Sequence, residues 1–279
     1  MNKTAKVIRQ SLIYLALLIF LVLFLFPIFW MFVSSFQPNS ALIKLPPSFW
    51  PGDGTLDNYI RILSTPKYLN FYKNSAIVAF STVFVCIIVS IFAGYAFSRY
   101  RFPGRNFAMS SILSIQMFPI IAILISLFVF FSNLKLINTY RGLILADITV
   151  ALPFSVWFLK SFFDTIPRDL EEAAYIDGCG RFRTIFEIVV PLILPGILAV
   201  GIYSFLISWD DFVFGLTLIN KDAFRTLPVG IAMSFLMENE YDWSGMMAVS
   251  VIASLPVLIM FVFLNRYMVA GLTQGGVKG

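Results

Sequence analysis

Histidine is missing altogether from this 279-residue sequence, which rules out a histidine-ligated metal site and any catalytic relay built on imidazole. Cysteine is nearly missing: Cys86 lies in an apolar run and Cys179 in a charged segment, so a mutual bridge is unfavoured and no metal-ligand spacing exists. Charged residues make up 13% of the chain, about half the share usual in soluble domains. The net charge of +5 comes from basic residues scattered among short hydrophilic segments, not gathered with aromatics on one surface, which argues against a nucleic-acid partner. No GxxxxGKS or GxxxxGKT stretch occurs, so ATP hydrolysis on a phosphate loop is not a property of this chain. Segments of roughly ten alternating residues, the mark of barrel strands, are also absent.

What is present is apolar: 59% of residues are hydrophobic and 17% aromatic, with a mean hydropathy of +0.87. Six runs, at residues 12–33, 75–97, 107–131, 142–159, 188–208 and 248–267, are long enough for helices across a hydrocarbon core of ~30 Å. The expected fold class is an all-α integral membrane protein of six transmembrane helices. The first run is too long for a signal-peptide core and lacks a small-residue cleavage pattern, so it is read as an uncleaved span. Lys3, Lys6 and Arg9, then Arg99, Arg101 and Arg105, then Lys160, Arg168, Arg181 and Arg183 mark the cytoplasmic side, which places both termini inside. The domain plan is an N-terminal segment 1–11, an outer loop 34–74, a five-helix core 75–267 with a cytoplasmic loop 160–187 and an outer loop 210–247, and a tail 268–279.

In the first outer loop, the threonine start and apolar spacing of TLDNYIRIL predict a short surface helix. Five of the six spans contain proline: Pro27, Pro119, Pro153, the pair Pro191 and Pro195, and Pro256. Kinked, crossing helices suit a pathway between them, although proline is frequent in any membrane bundle. Asp147 is the one acid inside an apolar run. It is either a functional group within the membrane or an interfacial residue hydrogen-bonded to Thr149 or a neighbouring helix.

The stretch EEAAYIDGCGRFRTIFEIVVPLILPG interrupts this apolar pattern. Pro167 suits a first helical turn, Asp169, Glu171 and Glu172 complement the dipole, and Gly178 can take the left-handed conformation that ends a helix. These signals predict a helix of about eleven residues. Leu170, Ala173, Ala174 and Asp177 would share one face, where alanines allow close approach. Phe182, Ile185, Phe186 and Val189 then form a second helical stripe running into the fifth span. Spacing alone fits an amphipathic hairpin on the inner membrane surface, anchored by Arg181 and Arg183, as well as it fits a docking element.

Glu172, Ala173, Ala174, Gly178, Ile188 and Pro191 at this spacing resemble the EAA signature of ABC-importer permease subunits, with Val190 where leucine is usual. SWDDF, TLPVGIA, DWSGMMAVSVIASLPVLIMF and the tail NRYMVAGLTQGGVKG resemble the carbohydrate branch, and within it the smaller permease of maltose-type systems. Asp210 departs from the asparagine more common there. The resemblance implies a type I ABC-importer permease fold, in which the hairpin is a coupling helix seated in a cleft of a cytoplasmic ATPase. Glu172 would pair with a basic group of the ATPase, Ala173 and Ala174 would allow docking, Asp177 would lie on the same face and Gly178 would make the turn.

The implied partners are a second homologous permease subunit, two ATPase subunits that carry ATP and magnesium, an extracytoplasmic sugar-binding protein, and membrane lipid. No cofactor or metal is expected on this chain. Thr273, Gln274, Gly275 and Gly276 in the tail would reach between the ATPases, unless the tail is simply a polar end. Leu227, Pro228 and Trp243 would touch the binding protein, and Asp147, Asp210 and Asp211 are pathway candidates. The function implied is half of the translocation path of an ATP-driven sugar importer, non-catalytic and resident in the bacterial or archaeal inner or plasma membrane. A permease for a non-sugar solute and a stand-alone channel or carrier are the alternatives. An intramembrane enzyme is disfavoured because Asp147 has no partner group for acid–base or metal chemistry within the apolar runs.

Overall fold

The computed structural model describes residues 3–44, 52, 54–237 and 241–276, with side chains described for residues 9–44, 52, 54–236 and 241–263. The described residues form helices and no strands. In chain order these are α1 (Lys3–Ser35), α2 (Asn39–Leu42), α3 (Asp57–Ser64), α4 (Pro66–Arg99) and α5 (Arg105–Ser114). A 3-10 turn at Ile115–Met117 precedes α6 (Ile120–Asn133), α7 (Tyr140–Thr165), α8 (Asp169–Ile176) and α9 (Arg181–Arg183). A π-helical segment, Thr184–Val189, leads to α10 (Val190–Leu192), α11 (Leu194–Trp209), α12 (Val213–Leu218), α13 (Leu227–Ala232) and α14 (Trp243–Gly276).

Parts of α1, α4, α7 and α14 are each long and apolar enough to cross a membrane. Two further crossings are bent pairs: α5 with its 3-10 turn meets α6 at 100°, and Arg181–Leu192 meets α11 at 80°. Counting each pair as one crossing gives the expected six, two of them broken. Both breaks fall beside a proline, whose missing amide removes a helical hydrogen bond, and at the first break the residue before it is also held out of the α conformation. Phe118 and Pro119 are extended before α6, and Pro195 sits in the first turn of α11. Pro27, Pro153 and Pro256 lie inside continuous helices, where losing one hydrogen bond does not end the element.

The chain divides into two compact units, Met1–Leu69 with Ile231–Leu255, and Asn70–Gly230 with Pro256–Gly279. In the first, the membrane-length part of α1 buries none of its most apolar window. At its end Ser34 and Ser35 are buried, and Asn58 of α3 donates to Ser35 O and Gln37 O at 3.0 Å each. Thr55 Oγ1 accepts the Asp57 amide at 3.1 Å, one bond of the expected threonine start. Asp242 pairs with Arg61 at 2.6 Å and accepts the Gly245 amide at 2.9 Å, which caps α14 five residues before the expected span.

Two apolar clusters are seen in the second unit among the described residues. Ile91 and Tyr95 of α4, Leu159 and Phe163 of α7, Ile185 and Val189 of the π segment, and Val200 of α11 make one. Val78, Leu143, Ala146, Phe214 and Leu218 belong to the other. Lipid tails are as apolar as leucine, so close packing and interhelical polar contacts, not water exclusion, hold such helices together. Gly94 supplies one tight approach, since a Cβ there would lie 3.0 Å from the Lys160 backbone nitrogen. Buried Thr82, Ser90, Ser155, Ser204 and Ser208 add small polar residues on α4, α7 and α11.

Candidate functional site

Helix α8 starts at Asp169, two residues after Pro167; Ile166, extended before that proline, closes α7, and Arg168 stands as the N-cap of α8. Its end is a Schellman turn. Gly178 takes φ +82°, its amide donates to Tyr175 O at 3.1 Å, and the Cys179 amide donates to Ala174 O at 2.9 Å. Glycine is favoured at this position because most L side chains are strained in the left-handed region. The first turn carries Asp169, Glu171 and Glu172 near the positive end of the helix dipole.

The two neighbouring glutamates point to different surroundings. Glu171 is 5% exposed and accepts from Arg99 Nε on Oε1 and from Tyr95 Oη on Oε2, at 2.6 Å in the latter case. Arg99 also donates to Ile166 O at 3.1 Å, and Ser98 Oγ donates to Asp164 Oδ1 at 2.6 Å. Arg168 reaches back to the Arg99 carbonyl at 3.4 Å, satisfying an end of α4. Glu172 and Ala173 are exposed, with Leu170, Tyr175, Ile176 and Asp177. Ile176 is 87% exposed beside the glycine turn.

The face expected from spacing is therefore split. Leu170, Ala173 and Asp177 are free, whereas Ala174 is 4% exposed and packs into its own chain. Within the second stripe, Ile185 and Val189 are core and Phe182 and Phe186 are exposed. Ile188 lies in the π segment and Pro191 in α10.

Asp147 on α7 is 1% exposed, and Ser208 of α11 donates to its Oδ2. Thr149 does not serve it; that hydroxyl donates to Ala146 O at 2.6 Å. Asp211 accepts the amides of Phe214 and Gly215 at 3.0 and 2.8 Å, capping α12. Burial pushes the Asp211 carboxyl above the usual carboxylate range, and those amide donors pull it back. Ser208, whose hydroxyl serves Asp147, also accepts the Asp211 amide on its carbonyl at 3.4 Å, so these two expected candidates meet around one residue, while Asp210 is exposed at the end of α11.

Leu227, expected at a protein contact, is instead 1% exposed, with its amide bonded to Ser75 Oγ at 2.8 Å. Pro228 beside it is half-buried. Trp243 is 39% exposed, stacks on Tyr241 at 6.2 Å and donates its amide to Asn39 Oδ1. Residues 238–240 of that expected contact segment lie outside the described residues. The backbone of α14 runs through Thr273, Gln274, Gly275 and Gly276, whose side chains lie outside the described residues, as do residues 277–279 altogether. Cys86 and Cys179 are both free thiols.

Sequence reasoning missed Glu171, Arg99 and Tyr95 as a cluster. A signal existed: Glu171 and Ala174 are three apart and so share a helical face that is not the face of Glu172. Among the described residues, no group of three or more Cys, Asp or Glu side chains could hold a metal ion.

Residues 86–274 match the family described as binding-protein-dependent transport system inner membrane component. The chain is 37% identical over 268 residues to the inner membrane ABC transporter permease protein YcjP of Escherichia coli, covering 95% of each. It is 35% identical over 276 residues to the trehalose/maltose transport system permease protein MalG of Thermococcus litoralis, covering 98% of this chain and 99% of that one. The fold resembles a chain in the crystal structure of a bacterial ABC transporter that imports the acidic polysaccharide alginate, with a TM-score of 0.85 at 20% identity, over 96% of this chain and 99% of that chain.

Proposed function

This chain belongs to the family of binding-protein-dependent transport system inner membrane components, and on that premise we propose that it is the membrane-spanning subunit of an ATP-driven importer of a sugar or oligosaccharide. The trehalose/maltose assignment of its Thermococcus relative supports the substrate class. The chain works with a second permease, two cytoplasmic ATPase subunits and an external sugar-binding protein. Its α8 end and both termini face the cytoplasm.

The single observation that carries the role is α8 itself. A short helix, closed by a left-handed glycine, turns Glu172, Ala173, Ile176 and Asp177 away from its own chain. Ala173 leaves room for another surface near the backbone, Glu172 offers a charge to a basic group, and the buried Glu171 side fixes the helix from behind. When the two ATPases close on ATP, they carry this helix with them, and the spans exchange an inward-facing for an outward-facing arrangement.

Co-purification and reconstitution test this. The chain should recover an ATPase and a second six-span subunit, and sugar uptake into proteoliposomes should require ATP and the binding protein. Uptake by the purified chain alone would refute the proposal. Glu172→Lys should abolish uptake while the chain still reaches the membrane, and normal sugar-stimulated ATPase activity in that variant would exclude Glu172 from docking.

A further inference from the structure

Helix α8 is joined to the rest of its unit by two routes of very different character. Forward along the chain, it passes Gly178 at φ +82°, Gly180, the three-residue α9, a π-helical segment, the three-residue α10 and an 80° bend before α11 begins. Each is a change of hydrogen-bonding pattern, and π turns and glycine-linked breaks are where helices bend. Sideways, Glu171 places both carboxylate oxygens on one continuous helix of 34 residues, α4, through Arg99 and Tyr95. The Glu171 and Arg99 side chains are only 7% and 9% exposed, so water does not weaken the pair.

The clamp has further members. Arg99 holds Ile166 O, Arg168 holds the Arg99 carbonyl, Ser98 holds Asp164, and the Tyr95 ring packs edge-on against Phe163 at 5.6 Å. These contacts tie the end of α4 to the end of α7 and the start of α8 together. A push on α8 reaches α4 directly, through a buried ion pair that must break before the two can part, whereas it reaches α11 only through the jointed route and through apolar packing, which can slide.

We propose that Glu171 and Arg99 are positioning residues that make α8 and α4 one rigid body, so that the displacement delivered by the ATPase enters the membrane through α4. This rests on the importer reading above. It differs from a route along the chain, in which the fifth span, following the hairpin directly, would receive the motion.

Spin labels placed pairwise at exposed Asp169 on α8, Val89 on α4 and Leu194 on α11 test the geometry in the assembled complex. Between nucleotide-free and ATP-bound states, the Asp169 to Val89 distance should hold and the Asp169 to Leu194 distance should change. The reverse pattern overturns the proposal.

Arg99→Gln and Glu171→Gln should each retain ATP hydrolysis while lowering sugar stimulation and sugar moved per ATP by about tenfold, the scale of a typical coupling free energy. Exchanging the charges, Arg99→Glu with Glu171→Arg, should recover much of that loss. Uptake and hydrolysis falling in proportion, or neither changing, would show that the clamp is only structural. An unaltered complex that ignores sugar refutes the importer reading, whereas a responsive one whose clamp variants respond equally refutes the clamp alone.

Discussion

Replacing Gly94 by alanine adds one carbon at a point where α4 meets the backbone of α7. That Cβ would stand 3.0 Å from the Lys160 nitrogen and 3.3 Å from Leu159 Cβ. Comfortable carbon contacts begin near ~3.5 Å, so the helices must separate by several tenths of an ångström. The obstacle at Lys160 is main chain, which no rotamer change can move aside. Overpacking of this kind costs about 1–3 kcal/mol. Gly201 on α11 is the matched control, because its Cβ would meet Ile87 Cδ1 at 3.5 Å, the flexible end of a side chain. The gain in helix propensity that alanine brings in water, about 1 kcal/mol, is reduced in a bilayer, where the dissociated helices are already formed. Gly201→Ala should therefore change stability by less than about 0.5 kcal/mol. Heating detergent-solubilised protein and following the monodisperse fraction by gel filtration measures both. Gly94→Ala should melt lower by about 2–4 °C per kcal/mol lost, and Gly201→Ala close to the parent. Equal melting of the two variants, or a more stable Gly94→Ala, would refute the claimed close approach of α4 and α7.

Ser208→Ala removes the hydroxyl serving Asp147 Oδ2, while Oδ1 already lacks a partner among the described residues; a loss of about 1–3 kcal/mol is expected. Combining it with Asp147→Leu should cost less than the sum of the two single changes, and strict additivity in thermal melts would argue against their contact. Asn58→Ala leaves Ser35 O and Gln37 O without their amide donor, so proteolysis near the end of α1 should accelerate several-fold, consistent with about 1 kcal/mol or more lost locally. Unchanged cleavage would count against that anchor. Because burial raises the Asp211 carboxyl, the folded state keeps a proton that the unfolded state has released, and stability should fall as pH climbs above ~4, the ordinary carboxylate value, towards the raised one. Asp211→Asn should flatten that slope, and an identical pH profile would exclude Asp211 as its source.

The six crossings and the hairpin were legible because apolar run length, dipole-matched acids and a terminal glycine are local signals. Which prolines break a helix was not. Pro153 and Pro119 look alike in sequence, yet one lies within α7 and the other follows a 100° turn. Leu227 carried no mark of burial, since its place in the core depends on Ser75, 152 positions away. Arg99 was legible as a charge that fixes orientation, but its partner is 72 residues distant in sequence. Spacing puts Glu171 and Glu172 on different faces of one helix, but which face is buried depends on where α4 lies.

The π-helical segment Thr184–Val189 has a bearing on how chain length can vary here. Its i→i+5 pattern accommodates residues that an α-helix of the same axial length would not hold, so a single deletion inside it can relax to ordinary i→i+4 bonding with both flanks left in register. A deletion inside α11 has no such relief. Each lost residue would rotate everything beyond it by about 100°, turning buried Val200 and Phe205 away from their neighbours and bringing other faces inward. Removing one residue between positions 184 and 189 should therefore cost less stability than removing one within α11.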